Sequence, residues 1–471
     1  MRRVYWLVVA LFVVLGACTK DETNVLEVPS ASILVLNWGD QGTTTFDSRN
    51  ITSITVTSTP AGWSVVDIDM YKGTITVQSP TEDTEDAVQS GNMTIKGYTP
   101  TGNTAVLDIF LAIVPQIDYT KEPANCYVAT EPQTRYIFDP MVGGNSTVLE
   151  TAEVKLLWQT RAHLVKFVDF RDGVASFYID EDEDNEGKVV SGNALLGALN
   201  ADGEIIWSWH IWVTNNNPAK NTITLAGEQM MNVNLGAECN SNGSTDADTI
   251  YNSYGMYYQW GRKEPFVGPK DYKFTGNYNA TLYDNVGYDF SLAYTESTET
   301  QGTIEWATAN PLTVIKGAKD NDFDWLYSGH KDDLWSVDSK TEYDPCPYGW
   351  RLADASLFAS LTLNATYDAM SWQELQPLYG IMLTDTDSSS DHFFTAQGRR
   401  NYIDCNLDIV NTNKTPVPWS GYYWTSTPND ANATALYFNL NTNTRAWNGF
   451  DNNRAMKRAN ALPVRCIRYF L

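Results

Sequence analysis

Two cysteine-bearing segments near the end of the chain place the strongest constraint on its fold. In residues 343–352 a Pro-Cys-Pro turn leads into an alternating run, and residues 462–469 have the pattern of a short strand. Because exported proteins keep disulfides and the N-terminus indicates export, we predict a bridge between Cys346 and Cys466. On the chain-entropy model, closing a loop of this length stabilises the fold by roughly 4 to 5 kcal/mol.

The N-terminus has the features of a signal peptide. Arg2 and Arg3 precede an apolar run over residues 4–15, which is too short to span a bilayer, and small residues follow before Cys18. This ending resembles a bacterial lipobox, in which the cysteine is lipidated and becomes the first residue of the mature protein. We therefore predict a signal peptide over residues 1–17 and lipidation of Cys18. A plain secretory signal with an incidental cysteine is the alternative.

The charged residues 19–22 resemble the export tag that sends lipoproteins of Bacteroides-like bacteria to the outer face of the outer membrane. A solvated charge run is the alternative interpretation. With the tag, residues 18–30 form a lipidated tether. More than one acyl chain anchors a protein durably, so we expect the chain to be held at the outer membrane, facing the cell exterior, without spanning it.

Length and charge limit the remaining possibilities. A chain of 471 residues is long enough for two or three domains, each with its own core. The formal net charge of −25 argues against nucleic acid or anionic membrane as a partner, because both would be repelled. An aromatic content of 13%, together with many Asn, Thr and Ser residues, is typical of β-rich extracellular modules.

The six cysteines do not form a metal-binding pattern. If lipid occupies Cys18, an odd number remains, so at least one cysteine is free or pairs with a partner molecule. None has the C-x-x-C spacing of a zinc or redox site, and we predict neither metal nor cofactor. The cysteines left after lipidation are Cys126, Cys239, Cys346, Cys405 and Cys466.

Residues 31–118 consist of short alternating runs rich in β-branched side chains, separated by turn clusters. This pattern predicts an antiparallel β-sandwich of the immunoglobulin-like kind, which we interpret as a spacer. Its Pro-Ala-Gly-Trp corner, residues 60–63, is similar to corners in the N-terminal sandwich modules of Bacteroides surface lipoproteins. We interpret Trp63 as a core residue, with a ligand platform as the alternative.

A second β-rich domain is predicted over residues 123–226, after a Pro-containing connector. Its Ala-Asn-Cys-Tyr opening and the Ile-x-Trp-Ser-Trp-His-Ile-Trp run at residues 205–212 resemble fimbrial-tip and surface lipoproteins of Bacteroides-like bacteria. In that run aromatic residues occur on both faces of the strand, which favours burial of Trp209 and His210 over a sugar-binding face. The acidic residues 180–187 do not fit the EF-hand order, and we interpret them as a solvated hairpin loop; a calcium site is the alternative.

The last part of the chain carries several ordered motifs. They are Cys-Pro-Tyr-Gly-Trp-Arg at 346–351, Tyr-Tyr-Trp-Thr-Ser at 422–426, Ala-Leu-Tyr-Phe at 435–438 and Val-Arg-Cys-Ile-Arg at 464–468, preceded by similar segments at 231–237 and 255–262. They resemble the Fibrobacter succinogenes major paralogous domain (FISUMP) family over roughly residues 227–471. The resemblance implies an α+β, C-type-lectin-like domain. We also predict a short helix within residues 254–262 and a helix capped by Asp354.

Catalytic and calcium-dependent functions are not supported by the residues. Calcium-binding lectins of this fold use Glu-Pro-Asn and Trp-Asn-Asp, whereas Glu264-Pro265 and Trp447-Asn448 are each followed by a residue that cannot be the last ligand. Formylglycine-type oxidases need two cysteines close together near the end, and Cys466 has no such neighbour. The four histidines are isolated, and no G-x-S-x-G, H-E-x-x-H or P-loop motif occurs. We predict a protein that is not an enzyme.

Binding residues are predicted in the segment 441–458, which we interpret as a long polar loop in an otherwise acidic chain. Long loops on rigid scaffolds often carry function, and Trp and Arg commonly anchor recognition surfaces. A covered structural loop is the alternative. The candidate ligand-binding residues are Trp447, Phe450, Arg445 and Arg454.

Together these observations predict a multidomain lipoprotein: an N-terminal all-β immunoglobulin-like sandwich, a second β-rich domain and a C-terminal α+β C-type-lectin-like domain. We expect it to act in adhesion or fimbrial assembly, with fimbrial or other surface proteins as partners. The alternative is a glycan-binding lipoprotein that captures host or dietary polysaccharide.

Overall fold

The structure is a computed structural model that describes residues 26–27, 33–171, 173–273, 276, 278–408, 419–441 and 446–469. The chain is multidomain and mostly β, and it divides into two compact units, Met1–Val114 and Pro115–Leu471. The predicted signal peptide and the lipidation site Cys18 lie outside the described residues. In the part of the chain that is described, no helix combines the length and apolar character needed to cross a bilayer.

The first unit is a two-sheet β-sandwich. Its sheets have the strand orders β1-β7-β6-β3 and β2-β5-β4, and among the described strands of this unit only β1 and β7 pair in parallel. Side chains at alternate positions, such as Ile75, Val77, Met93 and Ile95, are fully buried in one core cluster. The predicted alternation therefore produces a sandwich, as expected. The strands are β1 (Ile33–Leu36), β2 (Gln41–Thr45), β3 (Ser53–Ser58), β4 (Ser64–Asp69), β5 (Thr74–Gln78), β6 (Ser90–Tyr98) and β7 (Thr104–Ile113).

The second unit contains the remaining described strands. Its first part comprises β8 (Gln116–Asp118), β9 (Cys126–Ala129), β10 (Thr134–Phe138), β11 (Val142–Gly143), β12 (Thr147–Val148), β13 (Glu153–Gln159), β14 (Lys166–Arg171), β15 (Val174–Ile179), β16 (Gly192–Leu199) and β17 (Ile205–Val213). Its later part comprises β18 (Thr222–Leu225), β19 (Glu228–Met231), β20 (Tyr258–Gln259), β21 (Leu282–Tyr283), β22 (Asp289–Phe290), β23 (Ala293–Glu296), β24 (Thr313–Lys316), β25 (Trp350–Leu352), β26 (Leu361–Leu363), β27 (Gly380–Asp385), β28 (Ser390–Thr395), β29 (Arg399–Arg400), β30 (Leu407–Asp408), β31 (Ser420–Asn429), β32 (Asn432–Asn441), β33 (Ala446–Lys457), β34 (Ala461–Leu462) and β35 (Cys466–Arg468).

The helices of this unit are short. They are α1 (Ala247–Asn252), α2 (Ile304–Ala309), α3 (Ala365–Ala369) and α4 (Trp372–Leu375), with 3₁₀ turns at Lys319–Asn321, Ala355–Phe358 and Gln376–Leu378. The helix predicted within residues 254–262 is wrong. Tyr258 and Gln259 pair with β34, and Gly261 has a φ of +84°, which is incompatible with a continuing helix. Helix α1 lies just upstream instead, where the carboxylate of Asp246 accepts from the N–H of Thr249.

The cap predicted at Asp354 is confirmed, because its carboxylate accepts from the N–H of Ser356. Only one 3₁₀ turn follows, however, since Leu361 already begins strand β26.

Strand β17 is buried on both faces, as predicted. It lies in a six-stranded sheet of order β22-β21-β13-β16-β17-β9, and a second sheet of order β14-β15-β10-β8 belongs to the same unit. Trp207 and Trp209 join the core cluster that includes residues of β10 and β15, whereas Trp212 joins the core of the later residues. His210 is 1% exposed. The tryptophans of this run are therefore core residues.

The boundary predicted between residues 226 and 227 falls in the turn of a hairpin. Strands β18 and β19 pair across it, and β21, from the later part, pairs with β13 from the earlier part. The two parts thus share sheets within one compact unit. The acidic residues 180–187 form a largely exposed loop, as predicted, but this loop joins β15 and β16 of two different sheets and is not a hairpin.

Candidate functional site

The predicted disulfide is present in the second unit. Cys346 and Cys466 are bonded, with their Cα atoms 6.0 Å apart, and the bridge ties the turn before β25 to strand β35. The two strands are also antiparallel neighbours, with Leu352 opposite Cys466. The first and last of the sequence motifs therefore meet in one sheet.

A buried ion pair fixes the turn that carries Cys346. The carboxylate of Asp344 accepts from the N–H of Cys346 at 2.8 Å and from the N–H of Leu352 at 2.9 Å. The Lys340 ammonium donates to Asp344 at 3.0 Å and to the Cys346 carbonyl at 2.7 Å. Burial lowers the pKa of Lys340, an effect that Asp344 opposes. Each charge is thus compensated by hydrogen bonds, as a buried pair requires.

Three described cysteines are free, which agrees with the odd number expected. Cys126 and Cys405 are buried, and Cys239 is partly buried. Burial raises the pKa of Cys239 to about 11 and that of Cys405 to about 12, and it raises the pKa of Cys126 as well. Since the thiolate is the nucleophile, these thiols are held in their unreactive form near neutral pH.

The segment predicted as a binding loop is mostly strand. Residues Ala446–Lys457 form β33, which pairs with β32 and places Trp447 opposite Leu440, Phe450 opposite Phe438 and Arg454 opposite Ala435. The interpretation as a long loop is therefore wrong for residues 446–457, which add a third strand to the β31–β32 sheet. Arg445 and the side chain of Trp447 lie outside the described residues.

Arg454 belongs to a stack of four side chains, three of which lie on this sheet. Its guanidinium lies 5.3 Å from the ring centre of Tyr437, whose ring centre is 5.0 Å from that of Tyr422. On the other side of the stack, the guanidinium of Arg399 lies 5.3 Å from the ring centre of Tyr422. We call Arg399, Tyr422, Tyr437 and Arg454 the arginine–tyrosine ladder. Of these four residues the sequence predicts only Arg454 as a binding residue, because the other three come from separate strands.

The two ends of the ladder differ in exposure and pairing. Arg399 is 19% exposed and pairs with Asp408 at 3.2 Å, whereas Arg454 is 54% exposed and lies 3.8 Å from Asp451. Burial raises the pKa of Tyr422 to about 12, although Arg399 opposes this, and burial also raises the pKa of Tyr437. Both phenols therefore stay protonated near neutral pH, and the charge of the ladder comes from its two guanidinium groups.

Phe450 is not part of the ladder. It is partly buried and packs against the main core of the second unit, which gives it a structural role. Of the four candidate ligand-binding residues, the structure thus leaves Arg454 exposed and packs Phe450 against the core.

Glu264, the first residue of the partial calcium motif, is committed to other partners. Its carboxylate accepts from Arg262 at 3.1 Å and from Lys263 at 2.8 Å, and all three side chains are buried. Within the ranges that the structure describes, no group of three or more His, Cys, Asp or Glu side chains is arranged to hold a metal ion.

Comparison with known proteins gives no family. No family model matches the sequence, and no curated protein matches it. Solved structures align with part of the chain. The D00-D0 domain of intimin is 8% identical, with 40% of this chain and 95% of that chain covered and a TM-score of 0.16. The titin I-band fragment I67-I69 is 15% identical, with 40% and 64% covered and a TM-score of 0.14.

SGBP-B of the Bacteroides ovatus mixed-linkage glucan utilization locus, in complex with a mixed-linkage heptasaccharide, is 13% identical. The alignment covers 40% of this chain and 44% of that chain, with a TM-score of 0.14. TM-scores this low support no conclusion about the fold, which follows from the chain's own sheets.

Proposed function

We propose that this chain is a surface-exposed bacterial lipoprotein that acts in adhesion or fimbrial assembly by binding a partner without converting it. The observation that carries the proposal is the arginine–tyrosine ladder, because aromatic and arginine side chains dominate the energetics of recognition surfaces. The signal-like N-terminus and Cys18 support its placement at the outer membrane. The FISUMP resemblance supports a C-type-lectin-like domain as the binding scaffold.

The ladder is organised before any partner arrives. Each ring is held between two neighbours, so little side-chain entropy is lost when a ligand contacts it. Arg454 is the accessible end, since it is more than half exposed and its distance from Asp451 exceeds that of a direct hydrogen bond. A partner that presents carboxylate, carbonyl or hydroxyl oxygens would bind this guanidinium in place of Asp451.

The test compares the full-length protein with two variants in intact cells. Arg454→Ala removes the accessible end of the ladder. Arg171→Ala is the matched control, because Arg171 is 42% exposed and is paired with Asp169 at 2.7 Å. After cross-linking and purification, we expect pilin-like subunits to be recovered with the parent and with Arg171→Ala. The amount recovered with Arg454→Ala should be at least tenfold lower. Equal recovery with both variants would remove the ladder from the proposal.

A glycan array distinguishes adhesion or fimbrial assembly from the alternative function, glycan capture. Saturable binding to a glycan that is lost in Arg454→Ala and in Trp447→Ala would favour glycan capture through this surface. A flat array together with recovered subunits would favour assembly. Mass spectrometry of the N-terminal peptide tests the anchor, for which we expect an acylated Cys18 at the start of the mature chain. An unmodified Cys18 in a cytosolic product would contradict the surface location.

A further inference from the structure

The second unit contains a cleft of about 560 Å³ that is separate from the ladder residues. Its walls come from the segment around Tyr119 and Glu122, from strand β9, from the turn Pro347–Trp350 and from Arg468 and Tyr469 at the end of β35. This volume lies within the range of small-molecule sites, which is roughly 300 to 1,000 Å³.

The C-terminal walls of the cleft are rigid. The disulfide Cys346–Cys466 joins the turn to β35 immediately beside the lining residues. Trp350 pairs with Arg468 across the two strands, and the N–H of Tyr469 donates to the carbonyl of Gly349 at 2.8 Å. Gly349 has a φ of +73°, a conformation that glycine adopts without strain. The shape of the cleft is therefore set before any ligand binds.

Aromatic rings line the cleft at different depths. The ring of Tyr119 is stacked on those of Tyr127, at 5.5 Å, and Tyr136, at 6.1 Å, and its hydroxyl donates to the carbonyl of Val128 at 2.8 Å. Tyr348 is 37% exposed at the mouth. Tyr119 therefore forms a fixed aromatic part of the wall, and the accessible ring of Tyr348 offers an apolar face for stacking.

Three polar groups of the cleft lack a counterpart among the described residues. The guanidinium of Arg468 lies 4.8 Å from the ring centre of Trp350 but makes no hydrogen bond or ion pair there. The amide nitrogen of Asn217 has no acceptor, although its oxygen accepts from the N–H of Ala219 at 3.0 Å. No described group donates a hydrogen bond to the carboxylate of Glu122. Burial, and to a smaller extent the negative charge of Asp118, raises the pKa of this carboxyl group.

We propose that this cleft binds a neutral saccharide of one or two sugar rings. Sugar hydroxyls both donate and accept, so they match the donors of Arg468 and Asn217 together with the acceptors of Glu122. The C–H face of a pyranose can stack on the accessible ring of Tyr348, beside the aromatic wall that Tyr119 forms. A purely anionic ligand would be repelled by Glu122, and a purely cationic one would be repelled by Arg468. A ligand of either charge therefore cannot satisfy all three polar groups.

Saturation-transfer NMR on the full-length protein tests this site, with a panel of neutral mono- and disaccharides as probes. We expect at least one saccharide to bind saturably. Tyr348→Ala should weaken that binding about tenfold, because it removes an exposed stacking ring that the fold does not need. Tyr288→Ala is the matched control, since Tyr288 is 75% exposed and does not line the cleft, and it should leave the affinity unchanged.

A second variant guards against misfolding and links the result to the polar groups. Asn217→Ala should also weaken binding, and because it removes only one hydrogen bond of an exposed turn it should lower the thermal unfolding temperature by no more than about 2 to 4 °C. The proposal is overturned if no neutral saccharide binds, if only charged ligands bind, or if Tyr348→Ala and Asn217→Ala bind like the parent. This site does not depend on the ladder. Arg454→Ala should therefore bind the saccharide normally, and failure of one proposal leaves the other standing.

Discussion

Cys346, in the turn before β25, is bonded to Cys466 in the neighbouring strand β35, although 120 residues separate them in the sequence. The bridge limits the conformations of the unfolded chain, and it stabilises longer loops more. We expect the double variant Cys346→Ser, Cys466→Ser to lose about 4 to 5 kcal/mol of unfolding free energy. Urea unfolding followed by tryptophan fluorescence, which comes mostly from residues 115–471, measures this change.

The free cysteine Cys239 provides the control for that experiment. It is only partly buried and has no disulfide partner, so Cys239→Ser should change the unfolding free energy by less than about 1 kcal/mol. Reductant should lower the stability of the parent to that of the double variant. If the parent and the double variant unfold at the same urea concentration, the bridge does not stabilise the fold.

His210 gives the second unit a predictable dependence on pH. Burial lowers its pKa to about 3, and its neutral ring is held between Asn193 at 2.8 Å and Tyr258 at 3.2 Å. In the unfolded chain the pKa is about 6.5, so the unfolded state binds a proton that the folded state does not take up. The contribution of His210 to the free energy of unfolding is therefore fully present above pH 6.5, and it is lost as the pH decreases from 6.5 towards 3.

The His210 contribution amounts to about 2 kcal/mol between pH 7.5 and 5. His210→Gln should lose this part of the pH dependence, even if its stability at pH 7.5 is lower. His163→Gln is the control, because His163 is exposed and should retain the full dependence of the parent. Identical pH profiles for the parent and His210→Gln would show that His210 does not become protonated on unfolding in this range.

Sequence patterns predicted those parts of the fold that local chemistry determines. Alternation identified the first sandwich, aromatic residues on both faces identified β17 as a buried strand, and Asp354 was recognised as a cap. The helix expected within residues 254–262 failed because β34, far along the chain, pairs with Tyr258 and Gln259. Tertiary pairing there overrides the local apolar spacing.

The ladder was beyond sequence reasoning for a related reason. Tyr422, Tyr437 and Arg454 occupy three strands, and their contact depends on strand register, which the sequence pattern does not specify. Arg399 adds a fourth, distant strand. The open cleft combines residues that are even farther apart along the chain, from Tyr119 to Tyr469.

The buried cluster around Glu264 predicts a large effect from one small substitution. Although burial raises its pKa, Lys263 and Arg262 hold the pKa of Glu264 below its usual value. Glu264→Gln would leave two buried cations without a counter-ion, so we expect a loss of about 3 to 5 kcal/mol. Glu153→Gln is the control: its exposed pair with Lys155 should contribute less than about 1 kcal/mol. Urea unfolding of both variants provides the comparison.

Trp63 anchors the core of the first unit. It is 4% exposed, and its indole N–H donates to the carbonyl of Val88 at 2.9 Å. The turn before it is closed by a hydrogen bond from the Trp63 N–H to the carbonyl of Pro60, with Gly62 at a φ of +83°. The ring is therefore fixed in the core and is too buried to act as a ligand platform.

Trp63→Ala should destabilise this unit by about 3 to 5 kcal/mol, because it leaves a cavity and an unpaired carbonyl. Hydrogen exchange of the amides in residues 90–113 reports on the first unit alone. We expect the protection of these amides to fall by the same amount in Trp63→Ala. Tyr71→Ala is the matched control, since Tyr71 is 99% exposed in the same unit and should change protection by no more than about 0.5 kcal/mol. Equal protection in the two variants would mean that the sandwich core does not depend on Trp63.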